Sequence, residues 1–352
     1  MVRDAVPLGE CARALVIKLR HHGDVLLATP VLSALKAHAP RLEIDALVYD
    51  DTASMLEGHP ALSQLHCVGR KWKDAGLPER LSLEYGLLNE LRARHYDLVV
   101  HLSEQPRGAW LSRALAPRYS VAPAVAGRGG FWRGSFTHLF PVAPRRHMVE
   151  VNLDALRRIG LQPGLAERKV LFVPGVEADK KIERLLGSEA FVHLHPASRW
   201  LFKCWPAERN AELADRLAGN GMKVVITAAP DAGECLFVDE IMKRARSKPL
   251  NLAGQLSLKE LGALAARARL FIGVDSMPMH LAAAMGRPSI ALFGPSGEAE
   301  WGPWQAPSRV VASAHSCRPC GLDGCGGGKV SECLTTIPVD AVLAAARELL
   351  PH

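Results

Sequence analysis

The chain has 352 residues, 48% hydrophobic and 22% charged, and a formal net charge of +7 from 43 basic and 36 acidic side chains. That length accommodates two domains of ordinary size, and the positive balance points to an anionic partner. No stretch approaches the ~18 to 20 uninterrupted apolar residues of a membrane span; Arg3, Asp4, Glu10, Arg13, Lys18, Arg20 and Asp24 break up any signal-peptide core.

A cytoplasmic protein is therefore expected, one whose eight cysteines act as thiols or metal ligands rather than structural disulfides. The first predicted element is a strand over Ala14 to Leu19, a short apolar run bounded by charge. His21-His22-Gly23-Asp24 makes the turn after it, and Val25, Leu26, Val31, Leu32 and Leu35 recur at helical spacing. Pro30 must either kink that helix or open a fresh one with Thr29 as its cap. Glu43 to Tyr49 and Asp97 to Leu102 read as further strands, the second preceded by a helical pattern from Leu81 to Ala93. Such alternation predicts a doubly wound parallel sheet.

Periodicity weakens from about Pro106 to Arg168, where Arg107, Arg113, Arg118, Arg128, Arg133, Arg145 and Arg146 crowd together. That clustering favours a local anion site over a diffuse basic coat. The alternation then restarts with Phe191 to His195, Met222 to Thr227 and Leu250 to Ala253 as strands, and Ser257-Leu258-Lys259-Glu260 forms a capping box for the next helix. The expected division is an N-terminal domain over 1–165, a C-terminal domain over 166–337 and a closing helix within 338–352. The class is α/β, with two facing units and a cleft between them.

The most informative stretch is Gly273-Val274-Asp275-Ser276-Met277-Pro278-Met279-His280, with Leu281 to Gly286 and then Pro288 to Gly294 behind it. It reads as a buried strand that stops at an acid, turns, enters a small-residue helix and returns as a second buried strand. Backbone N–H groups at the start of such a helix have no partner within it, so a diphosphate is a natural guest. Asp275 and Ser276 would also be explained as simple helix caps; His280 would not. In His195-Pro196-Ala197-Ser198-Arg199-Trp200-Leu201-Phe202-Lys203-Cys204-Trp205-Pro206, a basic aromatic loop follows a strand end. Lys203 is the better candidate there to neutralise charge building on a leaving group. The first glycine turn lacks the G-x-G-x-x-G dinucleotide fingerprint, which disfavours hydride transfer. Gly23-Asp24 instead places a carboxylate at a helix start, where the dipole favours the ionised form that a general base needs. An acid placed there for helix stability alone accounts for it equally well.

These stretches, together with Thr29-Pro30 and Phe131-Trp132-Arg133-Gly134-Ser135-Phe136-Thr137-His138-Leu139, resemble the family 9 glycosyltransferases, and within them the heptosyltransferase III branch. The resemblance runs from about Ala14 to Leu350. It implies a GT-B fold of two facing Rossmann-like domains, the first holding the acceptor and the second holding ADP-L-glycero-β-D-manno-heptose. It also implies an inverting, metal-independent displacement and a closing helix that packs back on the N-terminal domain. By position, Asp24 would be the base, and Ser198, Lys203, Glu234, Leu256, Asp275, Ser276, Met277 and His280 the donor site. Within that site Glu234 would meet the ribose and Leu256 the adenine. Met277 departs from the glycine of relatives that attach the first heptose. The acceptor would be a phosphorylated heptose of the lipid A-core oligosaccharide, with Arg128 and Arg133 as phosphate clamps, since a planar guanidinium meets phosphate oxygens in pairs. An enzyme on such an acceptor would be cytoplasmic, with room for peripheral contact at the cytoplasmic face of the inner membrane.

Cys317, Cys320, Cys325 and Cys333 fall within seventeen positions, among turn-forming glycines. Four thiolates on a flexible loop could hold a structural zinc ion; free or redox-labile thiols and a local disulfide are the other readings. Catalysis itself would need no cofactor. The rival functions are heptosyltransferase I or II, acting on a different core acceptor, and a nucleotide-sugar binding protein without turnover. A nucleic-acid binder is disfavoured, because no basic helix and no recognised finger spacing occurs.

Overall fold

A computed structural model describes residues 4–350. The chain divides into two compact units, Met1–Val173 and Pro174–His352, a boundary a few residues beyond the expected one. Each unit is built on one six-stranded sheet.

In the first unit the strands are β1 (Arg13–Ile17), β2 (Glu43–Tyr49), β3 (Gln64–Val68), β4 (Leu98–His101), β5 (Tyr119–Pro123) and β6 (His138–Phe140). They pair in parallel in the order β3-β2-β1-β4-β5-β6. β1 is central, with Val16 facing Ala46 on one side and Val100 on the other. Its apolar run follows from that position, since a strand covered by helices on both faces has no polar side to present. Pro30 opens a fresh helix, Thr29–His38, and falls in its first turn. Thr29 does not cap it: its hydroxyl donates to the Leu26 carbonyl and accepts from the Leu171 N–H.

The second unit carries β7 (Phe191–His195), β8 (Lys223–Ile226), β9 (Leu250–Asn251), β10 (Leu270–Val274), β11 (Ser289–Phe293) and β12 (Ser308–Ala312). Again all pairs are parallel, in the order β12-β11-β10-β7-β8-β9. Gly273 is required where β10 meets β7, because a Cβ there would lie 2.9 Å from the His195 carbonyl oxygen and 2.7 Å from the Phe271 ring. The capping box at Ser257 and Glu260 forms as expected.

Trp205 is fully buried in this unit's core, and its indole N–H donates to the Ile337 carbonyl at 3.0 Å. Burial of an aromatic of this size contributes about 2–3 kcal/mol. The closing helix, Val339–Leu349, packs on the second unit, against the helix Ala207–Gly219 and strands β11 and β12. The physical reason is the apolar stripe Val342, Leu343, Ala345 and Ala346, which joins the same buried cluster as Trp205, Val224 and Ile290.

Candidate functional sites of the two units

In a parallel sheet, loops that leave the carboxyl ends of the strands gather along one edge, and ligands favour the point where strand order reverses. In the first unit that point lies between β1 and β4. Asp24 follows β1, in the first turn of the short helix His22–Leu26, and is only 8% exposed. Arg20 Nε stands 3.7 Å from its Oδ1, a looser approach than a hydrogen bond. Lys18, a charge at the end of the apolar run, is buried beneath this turn. Its ammonium donates to the Leu102 carbonyl at 2.8 Å and to Asn152 Oδ1 at 2.9 Å. Burial pulls the pKa of Lys18 down to about 8, while the Asp24 carboxylate opposes that fall. A lysine inside an otherwise apolar strand end was the available signal.

Arg128 and Arg133 leave the same edge after β5. Arg128 donates to the Glu104 carbonyl at 3.0 Å and lies over the Trp132 ring. Arg133 ends the short helix Gly130–Arg133 and is exposed.

In the second unit the order reverses between β7 and β10, and the candidate donor residues concentrate on the loops of that edge. Lys203 follows β7, Asp275 follows β10, and Lys203 Nζ donates to Asp275 Oδ2 at 2.7 Å across the reversal point. The helix Met277–Ala284 opens beside them. Ser276 occupies its N-cap position, but the serine hydroxyl donates to the Val274 carbonyl rather than capping. The first-turn N–H groups are thus left without a side-chain cap. Met277 is half-buried at the first helical position, and buried His280 lies with its ring 6.4 Å from that of Trp301.

Ser198 is buried on the β7 loop and accepts from the Trp200 N–H at 3.3 Å. Its carbonyl receives the Cys204 thiol, whose pKa burial pushes up to about 12. Glu234 follows β8 at the start of the helix Ala232–Arg244, capped by Asp231. Its Oε2 accepts the Ala229 N–H at 3.0 Å, and burial holds its pKa above the usual carboxylate range. Leu256 follows β9 and packs on the cluster of Phe191 and Leu264.

A cavity of about 520 Å³ borders Lys203, walled by Trp200, Phe202, Glu300, Trp301, Cys320 and Asp323. Glu300 and Asp323 were not foreseen, because isolated acids in irregular loops carry no periodic signal. Cys317, Cys320 and Cys325 are exposed thiols and Cys333 is a buried one. Among the described residues no three His, Cys, Asp or Glu side chains are gathered as a metal's ligands. Instead, Cys320 contributes its loop to the cavity wall.

The family model described as Glycosyltransferase family 9 (heptosyltransferase) matches residues 85–330. A lipopolysaccharide heptosyltransferase 3 of Escherichia coli (strain K12) is 36% identical over 343 residues, covering 95% of this chain and 97% of that one. The chain belongs to glycosyltransferase family 9. The fold agrees with that membership. A family 9 glycosyl transferase from Veillonella parvula superposes with a TM-score of 0.83 at 24% identity, covering 98% of this chain and 99% of the other. E. coli heptosyltransferase WaaC with ADP-2-deoxy-2-fluoro heptose gives a TM-score of 0.75 at 20% identity, covering 96% and 100%. In this family member the matched span contains the whole candidate donor set with Arg128 and Arg133, whereas Asp24 precedes it.

Proposed function

We propose that the chain transfers heptose from ADP-L-glycero-β-D-manno-heptose to a heptose of the lipopolysaccharide inner core, as a heptosyltransferase III, with inversion at the anomeric carbon. The Lys203–Asp275 pair at the reversal point of the second sheet carries this reading. It fixes an ammonium beside the uncapped start of the helix Met277–Ala284, where a diphosphate would be met by a cation and backbone N–H groups together. The likeness to E. coli heptosyltransferase 3 supports the same choice of sugar and acceptor.

In the proposed step an acceptor hydroxyl oxygen attacks the anomeric carbon as the bond from that carbon to the diphosphate oxygen breaks. ADP leaves with the electron pair. Asp24 takes the hydroxyl proton, and Lys203 with the helix N-terminus offsets the negative charge that grows on the departing phosphate. Asp275 would hold Lys203 in place and accept sugar hydroxyls, Ser276, Met277 and His280 would line the donor, and Glu234 would accept from the ribose. Arg128 and Arg133 would hold acceptor phosphate. No metal is assigned a part.

The test is incubation with ADP-heptose and core acceptors lacking successive heptoses. Product only on the acceptor lacking the branching third heptose is the expected result. Product on the acceptor lacking the second heptose would overturn the choice of acceptor.

A further inference from the structure

The first unit carries an exposed apolar track that its fold does not use. Between 70 and 81 the chain has four basic residues, Arg70, Lys71, Lys73 and Arg80, against two acids, Asp74 and Glu79. The helix Leu77–Ala93 then begins, and all of its first six residues are exposed. Leu77, Leu81 and Tyr85 are 69%, 59% and 65% exposed. Their spacing of four sets them along one side of the helix. Only Leu87 and Leu91, further along, are buried.

Further exposed aromatics lie on neighbouring elements. Glu84 is paired with Arg107 on the helix Pro106–Leu115, and Trp110, one turn beyond Arg107, is 63% exposed. The Trp110 ring lies 4.5 Å from that of Phe131, itself 41% exposed, and the Arg113 guanidinium stacks 4.8 Å over Phe131. Single exposed apolar side chains are ordinary on a protein surface; leucines and a large aromatic repeated along one side of a helix and accompanied by cations mark a contact site. Aromatic rings with polar edges, exposed leucines and flanking Lys or Arg suit a boundary between water and an anionic bilayer. Among the described residues no helix is long and apolar enough to cross a membrane, so such contact would lie on the surface.

We propose that this face of the first unit docks on an anionic phospholipid surface, with Leu77, Leu81, Tyr85 and Trp110 entering the headgroup region and Lys71, Lys73 and Arg80 meeting lipid phosphates. Phe131, in contact with Trp110, falls in the chain between the two candidate acceptor arginines, Arg128 and Arg133. Docking would therefore bring the acceptor loop to the surface from which a lipid-linked acceptor projects, and to that extent the proposal rests on the reading above.

The test is co-sedimentation of the full chain with phosphatidylglycerol-rich and with pure phosphatidylcholine vesicles, beside the triple variant Leu77→Ser/Leu81→Ser/Tyr85→Ser. These positions are exposed, so the variant should keep the parent's melting temperature. The parent is expected to prefer the anionic vesicles and to release in high salt, and the triple variant to partition about tenfold more weakly. Both should transfer heptose equally well to a deacylated core oligosaccharide in solution. Vesicle binding by the triple variant equal to the parent's would overturn the proposal. So would a parent that ignores anionic vesicles, including one that instead self-associates through this face and is dispersed by the triple change. Failure of the parent on the deacylated acceptor, with vesicle binding intact, would count against the transferase reading and leave the docking face standing.

Discussion

The two sheets share a strand order but arm their reversal points differently. In the second unit the decisive charges are already paired, with Lys203 held by Asp275 at 2.7 Å and Glu234 bonded to the Ala229 backbone. In the first unit Asp24 has only the looser approach of Arg20, at 3.7 Å, and a buried lysine beneath it. Fixed, paired charges suit a site that binds and orients a charged ligand. A carboxylate less firmly engaged remains available to accept a proton. On the proposed function, the second unit would bind the donor and the first would take the proton.

The largest expected effect comes from removing the acid. Asp24→Ala should lower single-turnover transfer about 10³-fold at saturating donor and acceptor, as loss of a general base does. A parental rate would break the comparison at once. Next comes the paired lysine. Lys203→Met should raise the donor KM about 10- to 100-fold, the scale of a lost charge-assisted hydrogen bond, and should lower the melting temperature because Asp275 is left unpaired. Adding Asp275→Asn should recover the melting temperature without recovering the KM, which sharpens the distinction between holding the fold and holding the ligand.

A smaller effect is expected at the acceptor side. Arg128→Ala or Arg133→Ala should raise the acceptor KM about 3- to 10-fold with the donor KM unchanged, read from initial rates with each substrate varied in turn. The least effect on turnover, and one on stability alone, concerns His101. Burial lowers its folded pKa to about 3. As pH falls, the unfolded chain therefore takes the proton first, near its ordinary pKa of about 6.5. The stability that His101 contributes is complete above that pH and is lost progressively as pH falls towards 3, at about 1.4 kcal/mol per pH unit. Stability measured by unfolding at pH 7, 6 and 5 should fall at least this steeply below pH 6.5, because His59, His193 and His195 are lowered by burial as well, and His101→Phe, which keeps a ring against Phe136, should flatten the slope by up to one proton.

Much of this arrangement was legible in the sequence because strands buried in a parallel sheet are short runs dominated by apolar residues. Glu43–Tyr49, Phe191–His195 and Leu270–Val274 stand where their runs placed them. Four of the edge and near-edge strands were not legible. Gln64–Val68, Tyr119–Pro123, His138–Phe140 and Ser308–Ala312 are short and mix polar with apolar residues, since an edge strand need not be covered on both faces. The closing helix was found at Val339, although an apolar stripe says that a helix is buried and not against what. At the site, acids and lysines that follow strand ends could be singled out. The Lys203–Asp275 pair joins residues 72 positions apart, and only the strand order makes them neighbours. Lys18 was noticed only as a charge that interrupts an apolar run, and its burial beside Asp24 follows from the fold.

The division of labour is tested most directly by titrating ADP into the parent, Asp24→Asn and Lys203→Met proteins by calorimetry. The account predicts a Kd unchanged by Asp24→Asn and weakened about tenfold or more by Lys203→Met. Equal weakening in both variants, or a loss confined to Asp24→Asn, would contradict it.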